Sequence, residues 1–461
     1  MKKVVVSFAT VLFFTIGVNG LVWADDISDM KEQIKQMQKT IKEQSAQIEN
    51  MQDKIGQMEK SKASRVKTPQ GMEERVEALE EKVSQPGTLK SYWKDGLRFA
   101  TEDKDFSLAV GGRIQADTVW MQEDSAVKSA VGDASDGAEF RRARLYTAGT
   151  IYDNIFYKAQ FDFAGGDVDF VDVYMGAKNV PYLGRVKVGH FKQPFCMDDI
   201  YSSKYITLME RSVVQALTPG YDLGISANST AFDERMTWAV STFRNTDSFG
   251  TAASNEYNFA SRITVLPVYE DNGEKLLHMG LGYSFINPEE TLQYEARPEV
   301  HLAPYYTDTG AFAADHANLI GCELAGVYGP LSFQGEFIQS FVDETGGPDD
   351  TYFYGGYGQV SYFLTGETKP YSKVEGVFSR VRPKENFSIE DETWGAWELA
   401  ARYSHLDLKD NAIDGGIMSD TTLGVNWYLN PNLRIMWNYV HSNLNGVGTA
   451  DAVLSSVRID F

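Results

Sequence analysis

The sequence predicts an all-β fold: a transmembrane antiparallel β-barrel of about 16 strands, preceded by an N-terminal α-helical coiled coil. Three observations lead there. From about Phe106 to Phe461, apolar and polar residues alternate with a period of two. The chain opens with an export signal, yet no later segment holds the ~20 consecutive apolar residues of a spanning helix. Between them, residues 27–58 repeat every seven positions.

The export signal starts with Lys2 and Lys3, continues through "VVVSFATVLFFTIGV" and closes at Val22-Trp23-Ala24 with a small residue. Cleavage after Ala24 and a mature chain from Asp25 are expected; an uncleaved anchor is the alternative. An exported chain without a spanning helix is either soluble or a barrel. Forty glycines, 24 tyrosines and 26 phenylalanines suit strands with one oily and one wet face.

In the heptad segment, Ile27, Ile34, Ile41, Ile48 and Ile55 hold one seam position and Met30, Met37, Gln44, Met51 and Met58 the other. Steps of four and three keep this stripe turned to a partner, so a parallel coiled coil is expected, with Gln44 setting register at some cost in stability. A lone amphipathic helix lying on the barrel is the alternative. Pro69 and Gly71 interrupt the helix before a second stripe at Met72, Val76, Leu79 and Val83. The expected organisation is a signal peptide at 1–24, a periplasmic coil and linker at 25–85, and a barrel at 90–461. The coil implies an oligomer. Its Ile and Met seams do not set the strand number.

The barrel strands follow from parity. In "NIFYKAQFDFAG", Tyr157, Ala159, Phe161 and Phe163 alternate with Lys158, Gln160 and Asp162. In "LLHMGLGYSF", Leu277, Met279, Leu281, Tyr283 and Phe285 oppose His278, Gly280, Gly282 and Ser284. In "AWELAARYSHL", Trp397, Leu399, Ala401 and Tyr403 oppose Glu398, Ala400, Arg402 and Ser404. "TTLGVNWYLNPNLRIMWNYVHS" reads as two strands around a turn at Asn430-Pro431-Asn432. A soluble sandwich alternates in the same way. The export signal, the aromatic flanks and the closing "AVLSSVRIDF", which resembles the last strand of bacterial outer-membrane barrels, favour the barrel. At roughly 22 residues per strand and connection, the region holds about 16 strands.

Parity also sorts the charges. In "EFRRARLYTAG", Arg142 and Arg144 share a face with Tyr146, while Arg141 shares the other with Ala143 and Leu145. An arginine facing lipid at mid-membrane costs about 2–4 kcal/mol, so Arg142 and Arg144 should point inward. Arg141 must then sit at a rim, follow a bulge, or snorkel. Arg113, Asp172, Arg185 and Lys187 also fall on the inner face. Cys196 and Cys322 permit one bridge, but two free, buried thiols are expected.

The chain resembles the phosphate-selective porin O/P family across nearly all of residues 95–461. The likeness rests on "DGLRFATEDKDFSLAVGGRIQAD", "EFRRARLYTAGTIYDN", "VDVYMGAKNVP", "RVKVGHFKQPF", "YITLMERS", "YFLTGETKPY", "GAWELAARYSHLDL" and "LGVNWYLNPNLRIMWNYVHS". It implies a sixteen-stranded, trimeric outer-membrane porin whose third loop folds inward, with an arginine ladder leading small anions to a phosphate-holding constriction. Carried over residue by residue, Arg113, Arg141 and Arg142 match pore arginines, and Asp172 in "VDVYMG" the site's aspartate. Ser203 and Lys204 in "YSSKYITLMERS" match the inward loop's serine and lysine, and Arg211 its arginine. Arg144 is added from parity alone. The alternative is that these charges form ordinary ion pairs of the wall, for instance Glu210 or Asp172 with a nearby arginine.

The net charge of −21 falls almost wholly on residues 91–461. Much of it lies in expected loops: "MQEDSAVKSAVGDASDGAEF", "NPEETLQYEARPE", "VDETGGPDD", "SIEDETW" and "LKDNAIDGG". Divalent cations can bridge such loops to lipopolysaccharide, but acidic loops can equally repel anions at the mouth. A general or cation-preferring porin, or a structural barrel tethered to the cell wall through the coil, therefore stays open. No enzyme is expected: the six histidines are scattered and neither HExxH nor GxSxG occurs. Neither a cofactor, a metal site nor a nucleic-acid partner is expected. The expected partners are two further copies of the chain, outer-membrane lipid and lipopolysaccharide, small anions and, through the coil, the cell wall.

Overall fold

The computed structural model describes residues 89–247, 249–251, 256–346 and 350–461. The export signal at 1–24 and the coil at 25–85 lie outside the described residues. Each period-two segment forms a strand. In chain order these are β1 Ser107–Glu123, β2 Gly137–Ile151, β3 Ile155–Asp162, β4 Asp169–Val180, β5 Gly184–Lys192, β6 Tyr221–Ala231, β7 Met236–Arg244 and β8 Asn258–Glu270. There follow β9 Lys275–Ile286, β10 Phe312–Tyr328, β11 Leu331–Glu344, β12 Thr351–Phe363, β13 Ala396–Asp410, β14 Ile413–Asn430, β15 Leu433–Leu444 and β16 Gly448–Asp460.

Each strand pairs antiparallel with the next, and β16 pairs with β1, placing Ala450 opposite Glu123 and Asp460 opposite Arg113. The sixteen strands thus close on themselves and leave no open edge, as lipid requires. Phe461 completes the seam: its N–H donates to the Gly112 carbonyl at 3.0 Å, and the Gly112 N–H donates to the Phe461 oxygen at 2.7 Å. Beside β1, a hairpin of Leu89–Trp93 and Leu97–Thr101 extends the wall, with Leu97 opposite Val110.

Burial follows the expected parity. Leu281 on the outer face is 50% exposed while His278 on the inner face is 0%. Leu399 and Tyr403 face out; Glu398, Arg402 and Ser404 are buried within. The turn between β14 and β15 falls at Pro431-Asn432.

Most connections at the rim that holds Phe461 are short, such as residues 152–154 and 329–330. Short turns mark the periplasmic side of bacterial barrels. Three long connections turn inward instead. Residues 193–220 carry a helical turn, Met197–Ile200, and a 3-10 turn, Val213–Leu217. Phe195, Met209, Val213 and Leu217 of this segment pack with Tyr294, Val300 and Tyr306 of residues 287–311 against Leu319, Ile338, Phe353 and Leu406 of the wall. From the opposite rim, Val377 and Phe378 of residues 364–395 meet Met197, Tyr201 and Ile206. The apolar core therefore lies inside the cylinder, where these connections meet.

Glycines on the inner wall make room for them. A Cβ on Gly282 would stand 2.1 Å from the Phe195 carbonyl oxygen, and one on its cross-strand partner Gly321 would stand 3.3 Å from the Phe195 ring. On β14, a Cβ on Gly424 would meet the Leu208 side chain at 2.4 Å.

Several expectations need correction. Within "MQEDSAVKSAVGDASDGAEF", residues up to Glu123 finish β1, Ser125–Val131 form helix α1 with Val127 buried, and Gly137 onward begins β2. "LKDNAIDGG" is nearly all strand around Asn411-Ala412. "NPEETLQYEARPE" is not wholly external: its Glu299 is buried, accepting from Arg402 at 2.5 Å, Ser404 at 2.6 Å and Thr422 at 2.5 Å. Both cysteines are free, but only Cys196 is buried. Cys322 stands on the outer face between Ile320 and Leu324, because its neighbour Glu323 takes the inner position.

Candidate functional site

The three clustered arginines are explained by one extra residue. Along the β1–β2 ladder Arg113 faces Arg144 and Gln115 faces Arg142, but Ala116 faces Phe140, so Arg141 is left without a partner. This is a β-bulge, which inserts a residue into one strand and re-aims side chains around it. Of the three placements open to Arg141, the bulge is the one found. Its guanidinium reaches the Glu210 carboxylate inside the barrel through two bonds, at 2.6 and 3.0 Å.

All eight residues singled out in the sequence line one cleft of about 740 Å³, between the β1–β8 wall and the inward segments 193–220 and 364–395. Arg113 donates to the Ser203 hydroxyl at 2.7 Å. Arg142 donates to Gln115 at 2.9 Å and lies 4.0 Å from Glu210. Arg144 is paired with Asp162 at 2.5 Å, and Asp172 with Lys158 at 2.6 Å. Arg211 donates to the carbonyls of Asp198 at 2.5 Å and Tyr201 at 2.8 Å, so it braces its own loop. Lys204 stands over Tyr146 and Tyr205, 5.8 and 5.5 Å from the ring centres. No carboxylate lies within ion-pair distance of Lys204 among the described residues.

The cleft lining holds twelve arginine and lysine side chains against three carboxylates, Asp172, Asp199 and Glu375. A chain with a net charge of −21 thus encloses a positive throat. Two of those carboxylates are already matched, Asp172 by Lys158 and Asp199 by Lys192 at 2.5 Å. Other cations rest on aromatic faces: Lys187 over Phe191 at 3.9 Å, and Arg185 over Phe156 at 4.6 Å. A ring face steadies a cation without cancelling its charge.

On the inward segment, two of the shifted ionisable groups bear on the throat's charge. Burial pushes the Lys204 ammonium down to about 8; Asp460 opposes the shift, while Arg380 and Arg113 add to it. Burial alone would raise Glu210, but Arg141 and Arg142 hold its carboxyl well below the usual range. Glu210 is therefore a fixed anion tethering two throat arginines.

Sequence reasoning did not select Lys158, Arg185, Lys187, Lys192, Tyr146 or Glu210 as site residues. Parity had already placed Lys158, Arg185 and Lys187 inward, so the signal was present for those three. Glu210 could be named only as an ion-pair partner of some nearby arginine, because which one it meets depends on a loop crossing the lumen. Among the described residues, no group of three or more His, Cys, Asp or Glu is placed to hold a metal ion.

A model of the family described as phosphate-selective porin O and P matches residues 108–459. Porin O of Pseudomonas aeruginosa is 28% identical over 418 residues, covering 80% of this chain and 91% of that protein. An uncharacterized protein of Caulobacter vibrioides is 26% identical over 363 residues, covering 75% of this chain and 70% of its own length. Among solved structures, outer-membrane expressed OmpT of Vibrio cholerae is similar at a TM-score of 0.50 and 12% identity, covering 77% of this chain and 98% of that one. Salmonella typhi OmpF is similar at 0.50 and 12%, covering 81% and 100%. These two likenesses concern the barrel fold alone.

Proposed function

This chain belongs to the phosphate-selective porin O and P family, and from that premise we propose a trimeric passive diffusion channel for small anions, phosphate among them. It is an outer-membrane porin. The finer reading assigns the narrowing to residues 193–220 and the anion contacts to Arg113, Arg141, Arg142, Arg144, Ser203, Lys204 and Arg211. Asp172, held by Lys158, keeps the site from binding too tightly to release, as conduction requires.

The observation that carries this reading is the excess of cations in the cleft of an acidic chain: twelve against three carboxylates in the lining, and still twelve against six once Glu210, Asp162 and Glu323, which pair with Arg141, Arg144 and Arg262, are counted. Low-dielectric walls focus such a charge on the solute path, and screening over ~8 Å keeps it local to the throat. The acidic loops outside then say little about selectivity within. Outward-facing apolar side chains such as Leu281 and Tyr403 suit contact with lipid.

Planar-bilayer recording tests the proposal. A potassium chloride gradient should give a reversal potential of the sign set by anion preference, and millimolar phosphate should block the chloride current. The opposite sign would make the chain a cation-preferring general porin. An absence of conductance would leave a structural tether, and an absence of block would remove phosphate.

The pH dependence follows from Lys204. With its ammonium lowered to about 8, the charge is present at pH 7 and mostly gone at pH 9. Block by sulfate, whose own charge is constant in this window, should weaken as pH rises between those values. Lys204→Arg should flatten the profile, since a guanidinium stays protonated throughout. A parent profile already flat from pH 7 to 9 would show that Lys204 does not carry the effect.

A further inference from the structure

Residues 206–210 form no helix or strand, so their carbonyls need partners from elsewhere. Four consecutive wall strands supply them. Arg402 on β13 donates to the Glu210 carbonyl at 2.9 Å and Asn426 on β14 to that of Thr207 at 2.7 Å. Arg434 on β15 donates to the Ile206 carbonyl at 2.9 Å, and Arg458 on β16 to that of Met209 at 2.8 Å. All four donors are buried, and none lines the cleft.

We propose that Arg402, Asn426, Arg434 and Arg458 are positioning residues: a row of wall donors that clamps the backbone of Ile206–Glu210 and thereby sets where Ser203, Lys204 and Arg211 stand. The inference rests on the reading of residues 193–220 as the narrowing of an anion channel. By parity alone the three arginines resemble further rungs of a cationic ladder. Their partners say otherwise. Arg402 is also held by Glu299, with three of its bonds going to that carboxylate. Arg458 is oriented by the Ser456 hydroxyl at 2.9 Å and lies 3.8 Å from Asp117. Arg434 also donates to the Tyr428 hydroxyl at 3.2 Å. Each guanidinium is thus fixed from behind and spends a further donor on a loop carbonyl. The strip's own side chains Ile206, Leu208 and Met209 are buried as well, so the clamp and the packing hold the same five residues. The clamped strip lies between Lys204 and Arg211 in the chain, so a shift of the strip moves cations on both sides of it.

Asn426 separates this role from that of a pore charge, because it clamps without being charged. The test uses the full-length protein in planar bilayers, with Asn426→Ala, Arg434→Gln and Arg434→Lys. Folding is checked by the heat-modifiable mobility of the closed barrel. Losing a neutral bond to a carbonyl, as at Asn426, shifts the docked population of a segment by about fivefold, and losing a charge-assisted one, as at Arg434, by about tenfold or more. Both Asn426→Ala and Arg434→Gln should therefore raise single-channel conductance and open-channel noise and weaken sulfate block. Arg434→Lys, which can still reach one carbonyl, should fall between Arg434→Gln and the parent. The clamp is overturned if Asn426→Ala behaves as the parent while Arg434→Gln changes ion preference at unaltered conductance and noise. A parent channel that sulfate and phosphate fail to block defeats the functional reading, yet conductance and noise still decide the clamp.

Discussion

Lys204→Ala is expected to weaken phosphate block of the chloride current at least tenfold. Unit charges ~4 Å apart attract by about 4 kcal/mol at an effective dielectric of ~20, and by about 1 kcal/mol in bulk water. A hydrated throat lies between these limits, and ~1.4 kcal/mol is already a factor of ten in affinity. Lys204 should sit toward the strong end because its charge is not spent elsewhere. The rings of Tyr146 and Tyr205 steady it, while Arg141, Arg144 and Lys158 each have a carboxylate within 3 Å. The alanine variant also leaves the loop's other anchors in place, since Lys204 Nζ donates no hydrogen bond to them. Conductance should therefore change far less than block. Lys204→Arg should retain most of the block at pH 7. A Lys204→Ala channel with the parent's phosphate affinity would transfer the site to Arg113 and Arg142, or dispense with it.

Much of this was open to reading in the sequence, and the boundary has a physical cause. Side-chain parity is a local property of an extended chain. It placed Arg113, Arg142, Asp172, Arg185 and Lys187 inside without any knowledge of neighbours, and the length of the alternating region, at roughly 22 residues per strand and connection, gave about sixteen strands. A bulge breaks parity, and whether one occurs at Arg141 depends on the register of the facing strand at Gln115 and Ala116. The sequence could therefore name the alternatives for Arg141 but not choose. Inward folding of residues 287–311 and 364–395 was out of reach for a stronger reason. It is decided by what the wall has room for and what it can pair with. Glu299 enters because Arg402, Ser404 and Thr422 receive it, and these residues are distant in sequence. Read one by one, they look like ordinary polar residues on a wet face. The family resemblance supplied Ser203, Lys204 and Arg211, which periodicity in a loop cannot indicate.

Gly282→Val is expected to displace the inward loop while sparing the barrel. Gly282 lies in β9 opposite Gly321, and a valine favours strand geometry, so the wall itself tolerates the change. What it does not tolerate is the loop: the new Cβ would stand 2.1 Å from the Phe195 carbonyl oxygen and 3.1 Å from its ring. A backbone oxygen cannot swing aside as a flexible side chain can. Overpacking that forces a backbone shift costs about 1–3 kcal/mol, so the docked loop should lose about ten- to a hundredfold in population. Ser203, Lys204 and Arg211 move with the loop, so conductance should rise while anion preference and phosphate block fall together. Gly358→Val provides the control, because a Cβ there meets nothing within 4 Å. That channel should match the parent in all three measurements. If Gly282→Val also matches the parent, the loop does not lean on this wall and the narrowing must be held by the β13–β16 side alone. If both glycine variants lose the barrel, the fault lies in strand tolerance rather than in loop seating. The difference between the two substitutions therefore isolates the loop's contribution to selectivity from that of the wall, which no single removal of a charge can do.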